Sequence, residues 1–257
     1  MAIDEYVRDM WSQGRFTSEA TDRNYRLVLY AHAEDVDNRD PERTGRDDVK
    51  QTLRRWPHPN SQRKNRSILI AFYDWMVEEG RRPHNPARQT PRPRKRPVAT
   101  HRLSRDEVAA LLNAVENERE RRVIFLGVFA GLRNGELRGL RGRHFERPGF
   151  IWVSPDIGKG GKERWVPVSE ELEPVVARIR REVGPDEYVL PAQRWRNPPE
   201  NSEKTDRRKH PSSSQALRSL VRRVAKRAGL TGRIYPHLMR HAFADNMVRH
   251  AGLREAQ

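Results

Sequence analysis

The sequence predicts a mostly helical protein in two parts: an N-terminal helical bundle, then an α+β domain with a small antiparallel sheet. Three observations lead there. Apolar residues recur at helical spacing through most of the chain, as in Ile68, Leu69, Phe72, Tyr73 and Met76. Alternation at strand spacing is confined to 150–153 and 164–168, on either side of a glycine-rich turn. Between Arg81 and Arg102, the prolines Pro83, Pro86, Pro91, Pro93 and Pro97 interrupt both patterns. The expected boundaries are a helical domain at 1–86, a basic proline-rich linker at 87–102 and a second domain at 103–257.

In the first part, helices are predicted over 3–11, 17–33, 47–56 and 61–80, enough for a small bundle. The last of these stops at Gly80 and carries Arg63, Lys64 and Arg66 in its early turns. Tyr25, Tyr30 and Trp75 read as core or half-buried residues rather than as platforms for bases. The stretch from Arg81 to Arg102 holds Arg81, Arg82, Arg88, Arg92, Arg94, Lys95, Arg96 and Arg102 and no acidic residue. It reads as a stiff extended strap suited to a DNA backbone, with a solubilising tether as the plainer alternative.

The second part opens on Ser104-Arg105-Asp106-Glu107, a capping box. Residues 123–130 are apolar on nearly all sides and read as a buried helix. The two alternating segments form a hairpin. A helix is expected over 175–183, a short strand over 188–190, a mobile loop over 193–214 and a basic amphipathic helix over 217–228, ended by Gly229. Another helix starts at Pro236, since proline suits the first helical position.

Composition narrows the function. A net charge of +16 and a pI near 10.8 point to a polyanion, because Lys and Arg gain affinity by displacing counterions from phosphates. Acidic lipid or RNA would suit the same charge. The 43 arginines against eight lysines favour forked contacts with phosphate oxygens. With no cysteine, disulfide frameworks, thiolate metal sites and cysteine nucleophiles are excluded. There is no signal-peptide pattern and no apolar run of membrane length, so a soluble cytoplasmic protein is expected.

Three motifs carry the chemistry. In Gly131-Leu132-Arg133-Asn134-Gly135-Glu136-Leu137, a glycine turn presents Arg133, and Glu136, three residues on, can hold a neighbouring cation. Gly158-Lys159-Gly160-Gly161-Lys162-Glu163-Arg164 is not a nucleotide-binding P-loop, because a strand rather than a helix follows Lys162. It places Lys159 at a hairpin tip, with Lys162 and Arg164 as backbone contacts. In His237-Leu238-Met239-Arg240-His241, His237 and Arg240 lie three apart near a helix start, where an anion is favoured. Arg133 and Arg240 can clamp the two non-bridging oxygens of one phosphate, and His237 can shuttle a proton. No metal motif and no cluster of carboxylates accompanies them, and no cofactor is expected. His101, His144, His210 and His250 are expected on surfaces or loops.

In this order, and over nearly the whole chain, the motifs resemble the tyrosine recombinase (phage integrase) family. The resemblance implies an integrase-like fold: a SAM-like core-binding domain, then the catalytic domain, without a separate arm-site-binding domain. It implies Arg133, Lys159, His237 and Arg240 as catalytic residues, with Glu136 in support and Lys159 donating a proton to the leaving 5′ oxygen. Arg63, Lys64, Arg92, Arg94, Lys95, Arg96, Lys162 and Arg164 are the expected DNA contacts. The implied reaction is site-specific recombination or integration through a 3′-phosphotyrosyl intermediate. The implied partner is double-stranded DNA, with a homotetramer of the full-length parent on synapsed sites and mainly monomer here. No tyrosine follows Arg240 before Gln257, so the chain is expected to be truncated before its nucleophile and inactive in cleavage. The other reading is a non-catalytic DNA-binding remnant or regulator that occupies recombination sites.

Overall fold

The computed structural model describes residues 2–38, 40–97, 102–193, 206–232 and 234–251, with side chains described as far as 245. His101, the His250 side chain and residues 194–205 of the expected loop lie outside what is described. Contacts divide the chain into two units, Met1–Ala99 and Thr100–Gln257.

The first unit contains α1 (Ala2–Ser12), α2 (Glu19–Asp35), α3 (Arg46–Arg54) and α4 (Pro59–Glu78). Ser18 caps α2 by accepting the Thr21 N–H, Pro59 opens α4, and Gly80 at φ 68° terminates it. The apolar stripes of these helices meet in one core around Tyr6, Val28, Leu29, Leu69, Phe72, Tyr73 and Trp75. Tyr25 and Tyr30 pack against it half-buried. A buried polar chain crosses the same core. His32 bonds Thr52 at 2.7 Å through Nδ1 and Tyr73 at 2.6 Å through Nε2, and Tyr73 also meets Thr44.

The proline-rich stretch does not leave the bundle at Arg81. Arg82 is buried, its guanidinium 4.7 Å from the Tyr73 ring centroid and donating to the carbonyls of His84, Pro41 and Thr44. Arg81 pairs with Glu5, and Arg88 with Asp74. Asn85 caps the following turn by accepting the N–H groups of Ala87 and Arg88, and Ala87 and Thr90 are buried. A run of prolines excludes helix, but it does not prevent a turn whose side chains find partners. The exposed extended path runs from Pro91 to Pro97.

The second unit is built on α6 (Glu118–Phe129), whose Val123, Ile124 and Leu126 are fully buried. Around it stand α5 (Arg105–Asn113), α8 (Glu173–Glu182), α9 (Ser214–Arg227) and α10 (Pro236–Ala251), and the short α7 (Asn134–Gly139) precedes the sheet. Ser104 and Glu107 form the capping box of α5. Strands β1 (Phe150–Val153) and β2 (Arg164–Pro167) pair antiparallel, with Ile151 opposite Val166 and Trp152 opposite Trp165. Ile151, Val153 and Val166 face the core, and the indoles stack on the outer side.

Three expectations change here. The strand at 188–190 is an isolated bridge between Arg141 and Tyr188. The loop after 193 contains, in its described part, a 3-10 turn (Arg207–Lys209) and a bridge between Pro191 and Pro211. His144, expected at the surface, is fully buried: Nε2 meets Ser154 Oγ at 2.8 Å, and Nδ1 accepts the Arg141 N–H. A histidine in a polar-looking loop can close a 3-10 turn from within, which periodicity does not reveal.

Candidate active site and nucleic-acid interface

Two glycines bring the arginine loop against α10. On α6, an added Cβ at Gly127 would collide with the Met239 side chain, so the helices cross closely there. Gly131 has φ 58°, and an added Cβ would overlap the Phe243 ring. Only glycine satisfies both conditions. The chain therefore turns sharply after α6 and lays Arg133 beside the first turns of α10.

Arg133 is the N-cap of α7, and Glu136 reaches back to accept its backbone N–H at 2.8 Å. The same carboxylate accepts Arg133 Nη1 at 2.8 Å, and Arg164 Nη1 and Nη2 at 2.9 and 2.8 Å. Glu136 is only 1% exposed. Burial alone would raise its pKa, but the hydrogen bonds from Arg164 and Arg133 bring it down to about 2. It is a fixed anion at any physiological pH.

Arg240 donates Nη1 to the Gly131 carbonyl. Burial lowers its pKa, the positive charges of Arg133 and Arg164 lower it further, and Glu136 opposes them. Arginine keeps its proton regardless, so the three guanidinium groups concentrate positive charge here. His237 stands exposed at the start of α10, its ring 4.5 Å from that of His241. Partial burial, then His241, Arg240 and Arg133, hold its pKa below the ordinary value of 6.5. At neutral pH it is uncharged and able to accept a proton. Arg133, Arg240 and His237 are thus neighbours, and both guanidinium groups keep N–H donors without a partner among the described residues. That arrangement suits a tetrahedral oxyanion.

Lys159 is exposed at the hairpin tip, where Gly160 and Gly161 at φ 72° and 69° make the turn. Among the described residues it has no partner, and it does not touch the two arginines. Lys162 is likewise exposed and unpaired there. Arg164 is different from its neighbours on the hairpin: it is spent on Glu136 instead of facing outward.

In the first unit the basic strip has an internal support that sequence reasoning missed. Asn60 grips the Arg96 backbone twice, donating Nδ2 to its carbonyl at 2.9 Å and accepting its N–H at 3.0 Å. Arg66 donates to Thr90 Oγ1, Thr90 O and Arg88 O. The strap is held by its backbone, and Arg92, Arg94, Lys95 and Arg96 are exposed. Arg63 is half-exposed, and Lys64 donates to Asn24 at 2.6 Å. Nothing in the spacing of Asn60 or Arg66 distinguishes them from other polar residues on α4. Arg164 did carry a signal, since it shares parity with Val166 and therefore the inner face of the hairpin.

Among the described residues no group of histidines and carboxylates is placed to hold a metal ion, and no helix is long and apolar enough to cross a membrane.

Comparison with known proteins gives the same frame. The chain is 31% identical over 187 residues to a tyrosine recombinase of Thermosipho africanus (strain TCF52B), covering 71% of this chain and 60% of that protein. It is 28% identical over 209 residues to the tyrosine recombinase XerC of Xanthomonas campestris pv. campestris (strain B100), covering 77% and 59%. The chain thus spans three fifths of the length of these curated relatives. Its fold is similar to that of lambda integrase residues 75–356, solved as a dimer bound to a COC′ core site. The TM-score is 0.79 at 19% identity, over 100% of this chain and 92% of that one. Residues 101–257, which carry Arg133, Lys159, His237 and Arg240, match the phage integrase family, and the chain belongs to it.

Proposed function

We propose that this chain is the DNA-holding and phosphodiester-activating part of a site-specific recombinase. The observation that carries the reading is the meeting of Arg133, Arg240 and His237 around the Gly131 turn, with guanidinium N–H groups left over for a ligand. A phosphate of duplex DNA sits between the two arginines, which neutralise the charge that grows in the pentacoordinate transition state. A tyrosine hydroxyl attacks phosphorus and passes its proton to neutral His237. The bond from phosphorus to the 5′ oxygen breaks, and Lys159 supplies the proton that oxygen needs. The 3′-phosphotyrosyl link conserves the bond energy, so rejoining is the reverse reaction with a new 5′ hydroxyl.

The strap and the basic start of α4 supply sequence-independent affinity for the backbone. Lambda integrase bound to a core site supports duplex DNA as the partner. In the whole protein we infer a tetramer on paired sites.

The test uses the 257-residue chain and duplex DNA containing its recombination site, nicked to trap cleavage. The chain should footprint the site and form no covalent adduct, because no tyrosine lies between Arg240 and Gln257. Tyr6 and Tyr73 are buried phenols with raised pKa, and Tyr188 receives Arg141 Nη2. An adduct formed by this chain would assign the attack to one of its own tyrosines and overturn the reading. Absence of any footprint would remove DNA as the partner.

A further inference from the structure

Whereas Lys159 and Lys162 on the same hairpin are exposed, Arg164 turns its guanidinium inward. Its register opposite Val153 places it on the core face of the hairpin with Ile151 and Val166, and its fork closes on Glu136 with two bonds of 2.9 and 2.8 Å. A carboxylate offers about four acceptor positions. All four of those on Glu136 are filled, two by Arg164 and two by Arg133. The other end of α7 is gripped by the same hairpin, because Gly139 lies directly beneath the Ile157 side chain. Lys159 follows Ile157 by two residues.

We propose that Arg164 is a positioning residue, acting through Glu136 on Arg133 and tying the lysine-bearing hairpin to the arginine loop. Glu136 has one negative charge to share between two guanidinium groups. Arg164 takes the outer fork and leaves Arg133 one Nη1 bond and one backbone bond, which orient it and leave its remaining donors facing the ligand. The fork matters more than the charge, since an ammonium cannot present two parallel N–H groups to both oxygens. This rests on the reading above in that Arg133 and Lys159 serve one phosphate.

Three measurements test it. On duplex DNA, Arg164→Gln in this chain should leave the salt slope of binding unchanged, whereas Lys162→Ala lowers it by about 0.9, one phosphate contact. If Arg164→Gln fails to fold, Glu136→Gln/Arg164→Gln removes the paired charges together and answers the same question. By 15N NMR, exchange of the Arg133 guanidinium protons with solvent should speed up about tenfold in Arg164→Lys, the protection of one hydrogen bond. In the whole recombinase, Arg164→Lys should lower the cleavage kcat about 100-fold through misplacement of Arg133, with KM unchanged. Full activity in Arg164→Lys would show that charge alone suffices and overturn the proposal, as would a reduced salt slope in Arg164→Gln. If the unsubstituted whole protein forms no adduct, the recombinase reading fails, and the exchange rates still decide whether Arg164 controls Arg133.

Discussion

Each unit sets an arginine beside a polar cluster, buried as Arg82 in the first and half-buried as Arg133 and Arg240 in the second, and they use it in opposite ways. In the first, every nitrogen of the Arg82 guanidinium donates to a backbone carbonyl while its face covers Tyr73. The cluster it closes, His32 with Thr52, Tyr73 and Thr44, has no donor left for a ligand. In the second, Arg133 and Arg240 each spend one guanidinium bond on the protein and keep the rest. An arginine beside a cluster of polar groups is common to both. What separates a strut from a binding site is the number of donors left over once the protein's own acceptors are counted.

The largest expected effect tests whether the free donors and exposed cations of both units meet phosphates. If the chain neutralises about 6–10 phosphates, its duplex affinity should fall about 10³–10⁵-fold between 50 and 200 mM salt. A flat titration would break the comparison at its root. Replacing Arg92, Arg94, Lys95 and Arg96 by alanine should weaken all sequences alike if, as proposed, the strap meets the phosphate backbone and not base edges. Next comes the site. In the whole recombinase, Arg133→Ala or Arg240→Ala should slow strand cleavage about 10²–10³-fold with little change in affinity, the cost of one lost oxyanion donor. An equal loss in binding would reduce these arginines to anchors like those of the strap.

Acid separates the units in a different way. The folded pKa of His32 is depressed by burial to about 4 from 6.5, so the stability tied to its neutral form is complete above pH 6.5 and is lost as pH falls to 4. Glu136 is depressed to about 2 from 4.5, so its contribution is complete above pH 4.5 and is lost as pH falls to 2. Each shift amounts to something on the order of 3 kcal/mol. Hydrogen exchange followed on each unit should show the bundle loosening in the first window and the second unit in the second. His32→Asn should abolish the first window alone. Simultaneous loosening at a single pH would refute the assignment.

The smallest effect is Tyr73→Phe, which removes one hydroxyl from a satisfied network and leaves His32 Nε2 without its partner, while Thr44 keeps its bond to the Pro41 carbonyl. It should cost about 1–3 kcal/mol in urea unfolding, the price of a buried group without its partner. DNA affinity measured where the protein stays folded should not change. A change there would mean that the bundle's polar chain serves the interface as well.

What the sequence determined by itself is what repeats at short range. Helical spacing around Phe72 and Ile124, the capping box at Ser104, strand alternation beside Gly158–Gly161 and the proline opening α10 are local, and each was legible within a few residues. So were the motifs of the site, whose order points to the family. Only the tertiary structure decided which charges face out. Arg82, Arg88 and Arg164 look in sequence like Arg92 and Arg94, yet they are consumed by Pro41, Asp74 and Glu136. His144 reads as a surface histidine and closes a buried turn. An arginine's role depends on whether an acceptor from a distant segment arrives within about 3 Å of its nitrogens, and that distance is set by how helices and strands pack rather than by the residues beside it.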